Sequence, residues 1–263
     1  MSDQGVTGRL SGKAGVITGA TSGLGLATLR AMTSEGAAIV AVGRNADRGQ
    51  EIAEALQAEG RRAAFFTGDV SREADIVAAI DLCRKTFGSI DIMHNNAAFF
   101  TTAELHETTN EQWDKSLSTN LSSVFWGSKH AVLAMREQGR GGSIINTASV
   151  ATFTATADTL AYVATKTGVM GLTRATALAY AAEGIRCNAV CPGDFESPIL
   201  EQFFAAAPDP ESARESIAAT YPTKRILSPD DVARVVLYLA SDDSNGVTGT
   251  SIVVDDGLLA KTY

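Results

Sequence analysis

Short apolar runs alternate with longer stretches in which apolar residues return at helical spacing, from one end of the chain to the other. The runs Ala14–Thr18, Ala38–Val42, Arg62–Thr67, Ile90–Asn95, Ser143–Thr147, Ile185–Cys191 and Ser251–Val254 predict strands. Between them, Leu24–Ser34, Asp47–Glu59, Glu73–Thr86, Glu111–Glu137, Thr159–Ala182 and Asp230–Ala240 predict helices. Strands apolar at nearly every position are buried on both faces, which calls for parallel strands covered by helices on each side. Repeated strand–helix units of this kind give a doubly wound α/β sheet, here in a single domain over residues 1–263. One stretch breaks the rhythm. Gly193–Lys224 carries Pro198, Pro208, Pro210 and Pro222 around a short apolar helix-like piece, and reads as an inserted substrate lid.

A chain of 263 residues buries a core large enough to need neither disulfides nor a metal. Its net charge of −8, with no run of Lys or Arg, argues against nucleic acid as a partner, because phosphate binding needs a basic face. Cys83, Cys187 and Cys191 have no disulfide or metal-ligand spacing and read as small core residues in a reducing compartment. Residues 1–10 lack an apolar leader core and no stretch approaches a membrane span, so a cytoplasmic protein without a membrane partner is expected. His94, His106 and His130 share no metal-ligand or triad spacing; no metal is expected, and the three read as packing or surface residues.

The first strand runs into Thr18-Gly19-Ala20-Thr21-Ser22-Gly23-Leu24-Gly25 and then a helix. Glycines there let the backbone turn tightly and approach a pyrophosphate, whose charge is favoured by free N–H groups at the helix start. The second strand ends at Gly43-Arg44, where dinucleotide-binding folds meet the adenosine ribose. An acid there would repel a 2′-phosphate; Arg44 attracts one, so NADP is favoured over NAD. Asp69, before Val70, either hydrogen-bonds the adenine amino group or caps a helix beginning near Ser71. Asn95-Asn96-Ala97-Ala98 supplies small residues where the backbone lies close to a ribose and to the glycine loop.

Tyr162 and Lys166 stand one helical turn apart on the same face. A tyrosine of ordinary pKa is a poor base near neutrality, and a neighbouring ammonium is expected to stabilise its phenolate and lower that pKa. Ser149 follows the fifth strand at the carboxyl edge of the sheet, where such folds bind ligands, and could hydrogen-bond a substrate oxygen.

With these residues the chain resembles the short-chain dehydrogenase/reductase family, from about Lys13 to Gly257. The resemblance rests on TGxxxGxG at Thr18–Gly25, an NNAG-like stretch at Asn95–Ala98, Asn120, Ser149, YxxxK at Tyr162–Lys166 and a turn at Pro192-Gly193. It implies a Rossmann-type fold with Tyr162 as acid/base, Lys166 lowering its pKa and holding the nicotinamide ribose, and Ser149 orienting the carbonyl. Asn120 would keep a water that relays protons to Lys166. Gly19, Ser22, Gly23, Leu24, Gly25, Arg44, Asp69, Val70, Asn96, Ala97, Pro192, Gly193 and Ser197 would line the cofactor.

Three positions depart from the family pattern. Ala98 stands in place of Gly, Ser197 in place of Thr after Pro192-Gly193-Asp194-Phe195-Glu196, and Asp256 in place of the first Gly of VDGG. All four catalytic residue types are nevertheless present. The expected activity is hydride transfer between a nicotinamide and a ketone or secondary alcohol. The alternatives are a 3-oxoacyl-thioester reductase and a catalytically idle cofactor-binding scaffold. Phe99, Phe100, Val150, Phe153, Phe195, Ile199, Leu200, Phe203 and Phe204 suggest an apolar pocket, and no Lys or Arg lies between Ser149 and Tyr162 to hold an anion. The helices over Thr159–Ala182 and about Leu121–Met135 are apolar beyond one face, so a homo-oligomer is expected: a dimer, extended to a tetramer by the resemblance.

Overall fold

The strand-forming runs assemble into one seven-stranded parallel sheet in the computed structural model, which describes residues 8–261. The strands are β1 (Ala14–Thr18), β2 (Ala38–Gly43), β3 (Ala63–Thr67), β4 (Ile92–Asn95), β5 (Gly142–Thr147), β6 (Ile185–Pro192) and β7 (Ser251–Val254). Their order is β3-β2-β1-β4-β5-β6-β7. The chain therefore winds outward from β1 in one direction, returns, and winds outward in the other from β4. Between β1 and β4 the crossovers diverge and leave a crevice above the carboxyl ends.

Alternation along each strand sends side chains to two helical layers. Ile17, Ile39, Ile92, Ile145 and Val190 face a layer containing α1 (Gly23–Ser34), α2 (Ala46–Ala58) and α9 (Pro229–Ala240). Val16, Val40, Met93, Ile144 and Cys187 face α3 (Glu73–Phe87), α5 (Ser123–Gln138) and α6 (Leu160–Tyr180). The three cysteines are buried and free. The polar stretch over residues 1–10 falls mostly outside the described residues, and among those described no helix is long and apolar enough to cross a membrane.

Three expectations are corrected. The helix expected over Glu111–Glu137 is broken: α4 (Asn110–Leu117) is followed by a π-helical turn, Ser118–Ser122, before α5 begins. At this turn Asn120 points inward, and its amide forms hydrogen bonds with both the N–H and the C=O of Phe99, at 2.7 and 2.8 Å. A side chain doing the work of a β-strand partner holds the bulge. Second, the segment Gly193–Lys224, read from sequence as a lid with one short helical piece, holds two helices, α7 (Pro198–Ala206) and α8 (Pro210–Thr220). Each begins with a proline preceded by a side-chain N-cap, Ser197 and Asp209, a start signal readable in Ser-Pro and Asp-Pro. Third, α3 starts at Glu73 as expected but with Arg72 at its N-cap position, so Asp69 does not take the capping role that was one of its two readings.

Asp256, one of the departures, sits at φ +47, a left-handed conformation that glycine would adopt without strain. Its carboxylate accepts hydrogen bonds from Thr223 and Arg225 at 2.8 and 3.1 Å, contacts that glycine could not make. The substitution thus ties the end of β7 to the chain leaving α8.

Candidate active site

Parallel β1 and β4 bring the glycine loop and the Asn95–Ala98 stretch together at the crevice. A Cβ on Gly25 would lie 2.2 Å from the Gly19 carbonyl, and one on Gly19 would lie 2.9 Å from Ala97 Cα. Only hydrogen fits at either place. Ser22 occupies the N-cap position of α1 without a side-chain cap bond, beside Gly23, while Leu24 is buried beneath the turn. Asn96 braces the loop from below, its side-chain amide donating to the Thr18 and Gly19 carbonyls at 3.0 and 3.4 Å. The Thr18 hydroxyl accepts from the Asn96 and Ala97 N–H groups.

At the far end of this groove Asp69 accepts hydrogen bonds from the Ser71 N–H and hydroxyl. Those bonds, chiefly that from the Ser71 backbone, hold its carboxyl below the usual carboxylate range, and Arg44 adds to the lowering. Val70 is buried alongside. Arg44 is exposed just past β2, and Arg48, on the first turn of α2, donates to the Thr21 carbonyl at 3.3 Å. Sequence reasoning missed Arg48, although its position four residues after Arg44 was the available signal.

Ser149, Tyr162 and Lys166 meet where β5 ends. Thr147 closes the strand, and Ser149 caps a short 3₁₀ turn over Val150–Thr152, its hydroxyl accepting from the Ala151 N–H at 3.1 Å. Ser149 also acts on the Tyr162 phenol, drawing its pKa down against the effect of burial. Lys166, 1% exposed, reaches back from α6 and donates to the Thr147 carbonyl at 2.7 Å. Its Nζ lies 5.6 Å from the Tyr162 ring centroid. Phe100 meets the same ring edge-on at a centroid distance of 5.1 Å. Asn120 is fully buried and bonded to Phe99 and Thr165, with no direct bond to Lys166.

The electrostatics differ from the expectation that Lys166 lowers the Tyr162 pKa. Burial pushes the Tyr162 phenol up to about 12; Ser149 acts against this, while Asp194 and Cys191 add to it. Burial also brings the Lys166 ammonium down to about 8. The physical reason is that the loss of water around the buried phenol outweighs the lowering by Ser149.

Two further groups escaped the sequence reading. His94, fully buried on β4, hydrogen-bonds the Thr147 hydroxyl at 3.0 Å, and burial lowers its pKa to about 3, so it stays neutral. Asp194, past the end of β6, accepts from the buried Tyr221 hydroxyl at 2.8 Å. Nothing in the local sequence announces either pairing, since both partners are distant in the chain.

Pro192 ends β6, and Gly193 is packed so closely that an added Cβ would lie 2.8 Å from the Tyr221 oxygen. Ser197 uses its hydroxyl to cap α7, and its Cβ lies 3.6 Å from where one on Gly23 would stand, so the lid segment begins directly over the glycine loop. The supposed pocket residues divide. Phe100 reaches Tyr162 and Leu200 and Phe204 are buried, whereas Phe153, Ile199 and Phe203 are exposed.

Residues 19–259 match the family model described as enoyl-(acyl carrier protein) reductase. The chain is 37% identical over 246 residues to the cis-4-hydroxycyclohexanecarboxylate dehydrogenase of Sinomonas cyclohexanicum, covering 93% of this chain and 96% of that one. It is 34% identical over 257 residues to the cyclohexanol dehydrogenase of Acinetobacter sp. strain SE19, covering 97% and 98%. The crystal structure of a putative short-chain alcohol dehydrogenase from Sinorhizobium meliloti superposes with a TM-score of 0.89 at 29% identity, covering 96% of this chain and 98% of that one. By these matches the chain belongs to the short-chain dehydrogenase/reductase family of NAD(P)-dependent oxidoreductases.

Proposed function

We propose that this chain interconverts an alicyclic or otherwise apolar secondary alcohol and its ketone, with Tyr162 as the acid/base. The observation that carries this is the gathering of Ser149, Tyr162 and the buried Lys166 at the end of β5, with Phe100 against the tyrosine ring. A nicotinamide cofactor held between the glycine loop and this cluster would supply or accept the hydride. Gly19, Ser22, Gly23 and Gly25 admit its pyrophosphate to the start of α1, where unpaired N–H groups favour an anion. Asp69 and Val70 stand at the adenine end, and Asn96, Ala97, Pro192, Gly193 and Ser197 at the nicotinamide half. In ketone reduction Tyr162 donates its phenolic proton to the carbonyl oxygen while Ser149 orients that oxygen; in oxidation the phenolate accepts it. Lys166 holds a positive charge behind the tyrosine and against the ribose. Asn120 acts by fixing Phe99 and the helix bulge beneath the site.

The preferred cofactor in this reading is NADP. Arg44 and Arg48 flank the adenosine end of the groove and no carboxylate occupies the end of β2, where one would repel a 2′-phosphate. The working unit is a homo-oligomer in the cytoplasm. Phe125 and Leu133 on α5 and Leu178 on α6 are 47%, 52% and 87% exposed, an apolar face that a second copy would cover around a two-fold axis.

Four outcomes follow from this reading. Tyr162→Phe keeps the ring packing and lowers kcat at least about a hundredfold with little change in cofactor affinity. In the unmodified enzyme, alcohol oxidation climbs with pH, because a phenol raised to about 12 yields more phenolate at each step up, whereas ketone reduction gains nothing. Steady-state rates in both directions check both; a fully active Tyr162→Phe enzyme contradicts the assignment. Arg44→Ala weakens NADPH binding by about 1.5–3 kcal/mol and barely touches NADH, measured by fluorescence titration. Equal, unchanged affinities would remove Arg44 and the NADP preference from the account. Sedimentation at micromolar concentration gives a dimer or tetramer; a lone 27.5 kDa species would show that the α5–α6 face needs no partner.

A further inference from the structure

A negative charge is built into the edge of the sheet beside the reacting groups. Asp194 stands two residues beyond the end of β6, and on that strand the Val190 carbonyl accepts a hydrogen bond at 2.8 Å from the N–H of Ala148, the residue before Ser149. The stretch carrying Asp194 is therefore packed against the stretch carrying Ser149. It is held firmly: Leu227 N–H donates to the Asp194 carbonyl at 3.2 Å, and Glu196 N–H donates to the Leu227 carbonyl at 3.0 Å. The Asp194 side chain is fixed as well. The Tyr221 hydroxyl, itself fully buried, donates to Oδ2 at 2.8 Å and accepts from the Asp194 N–H at 2.6 Å. Despite these ties the residue as a whole is exposed.

Among the described residues no cation forms an ion pair with Asp194. Arg214, on α8, is paired with Glu196 at 2.6 Å and with Glu201. Arg225 is paired with Asp231 and Asp256, and Lys224 donates to the Ala219 carbonyl. Lys115 lies over the Phe99 ring at 4.5 Å. Lys166 is turned inward to Thr147. The field at the Tyr162 hydroxyl registers the result, since Asp194 is among the groups that raise its pKa.

We infer that Asp194 is a specificity-determining residue that makes the site select neutral or ammonium-bearing secondary alcohols and ketones against those bearing a carboxylate or phosphate. The inference rests on the hydride-transfer reading above and narrows it to a charge class. An anionic group on a small ring whose reacting carbon sits at Tyr162 cannot lie far from the Asp194 carboxylate, and like charges held close in a partly desolvated cleft repel strongly. An ammonium in the same place gains what the carboxylate loses.

The test compares cyclohexanol, 4-hydroxycyclohexanecarboxylate and 4-aminocyclohexanol as substrates of the full-length enzyme and of Asp194→Asn, which keeps an oxygen to accept from Tyr221. In the unmodified enzyme kcat/KM for the carboxylate falls at least about tenfold below that for cyclohexanol, and the amine is not disfavoured. In Asp194→Asn the carboxylate-to-cyclohexanol ratio rises at least about tenfold and the amine loses ground. Any effect of the variant on Tyr162 itself acts on all three substrates and cancels in the ratio, as does a partial loss of folded enzyme. A carboxylate used as well as cyclohexanol by the unmodified enzyme, or a ratio unmoved by Asp194→Asn, overturns the assignment of Asp194 while leaving the hydride-transfer reading intact. Absence of turnover with all three substrates overturns the alicyclic reading and this inference with it.

Discussion

A lysine ammonium buried to 1% exposure and held 2.7 Å from the Thr147 carbonyl is the contact around which the site is organised. Taking a charge out of water costs several kcal/mol unless partners replace its hydration, and here one short bond to a backbone oxygen is the recorded replacement. The remainder of the cost shows in the Lys166 pKa, brought from 10.5 to about 8. Between those values the unfolded chain binds a proton that the folded protein does not, so this group makes stability rise with pH from about 8 to about 10.5. At neutral pH it is a net burden of about 3 kcal/mol, carried by the packing of the rest of the domain. Such a burden is expected at a functional site, where the positive charge is needed and not merely tolerated.

The same contact sets the geometry of the cluster. Thr147 ends β5, so anchoring Lys166 to its carbonyl fixes the rotation of α6 against the sheet and thereby the place of Tyr162, one turn earlier. Ser149, two residues past Thr147, then meets the phenol. The Thr147 side chain extends the connection in the other direction: its hydroxyl lies 3.0 Å from His94 Nε2 and 3.4 Å from Asn96 Oδ1. Asn96 in turn bonds the carbonyls of Thr18 and Gly19. One residue thus joins the proton-transfer groups to the loop shaped for a pyrophosphate, through bonds that are buried and leave little room for adjustment. Two buried charges of opposite sign would simplify the electrostatics, but among the described residues no carboxylate pairs with Lys166.

Much of this was readable from the chain. Nearly continuous apolar strands imposed a parallel sheet, and every strand end fell within two residues of its expected place. The glycine loop and the Tyr162–Lys166 spacing located both ends of the crevice, because each depends on local chemistry that sequence displays. What was not readable depends on partners far apart. Asn120 looks like a polar residue in a helix until Phe99 is brought beside it; the π-turn follows from that pairing. The upward shift of Tyr162 follows from burial, which spacing does not reveal. Asp194 needed Tyr221 from the far side of α8, and His94 needed Thr147 from the neighbouring strand.

The buried charge can be measured directly. Selective isotopic labelling of the lysine side chains, with the Lys166 resonance identified by its loss in Lys166→Met, allows its titration to be followed by NMR in the intact protein. This account requires Lys166 to lose its proton near pH 8, well before the surface lysines. Titration together with them, at about the ordinary lysine value of 10.4, would show an ammonium still in water and would contradict the arrangement of α6, Thr147 and Tyr162 described here.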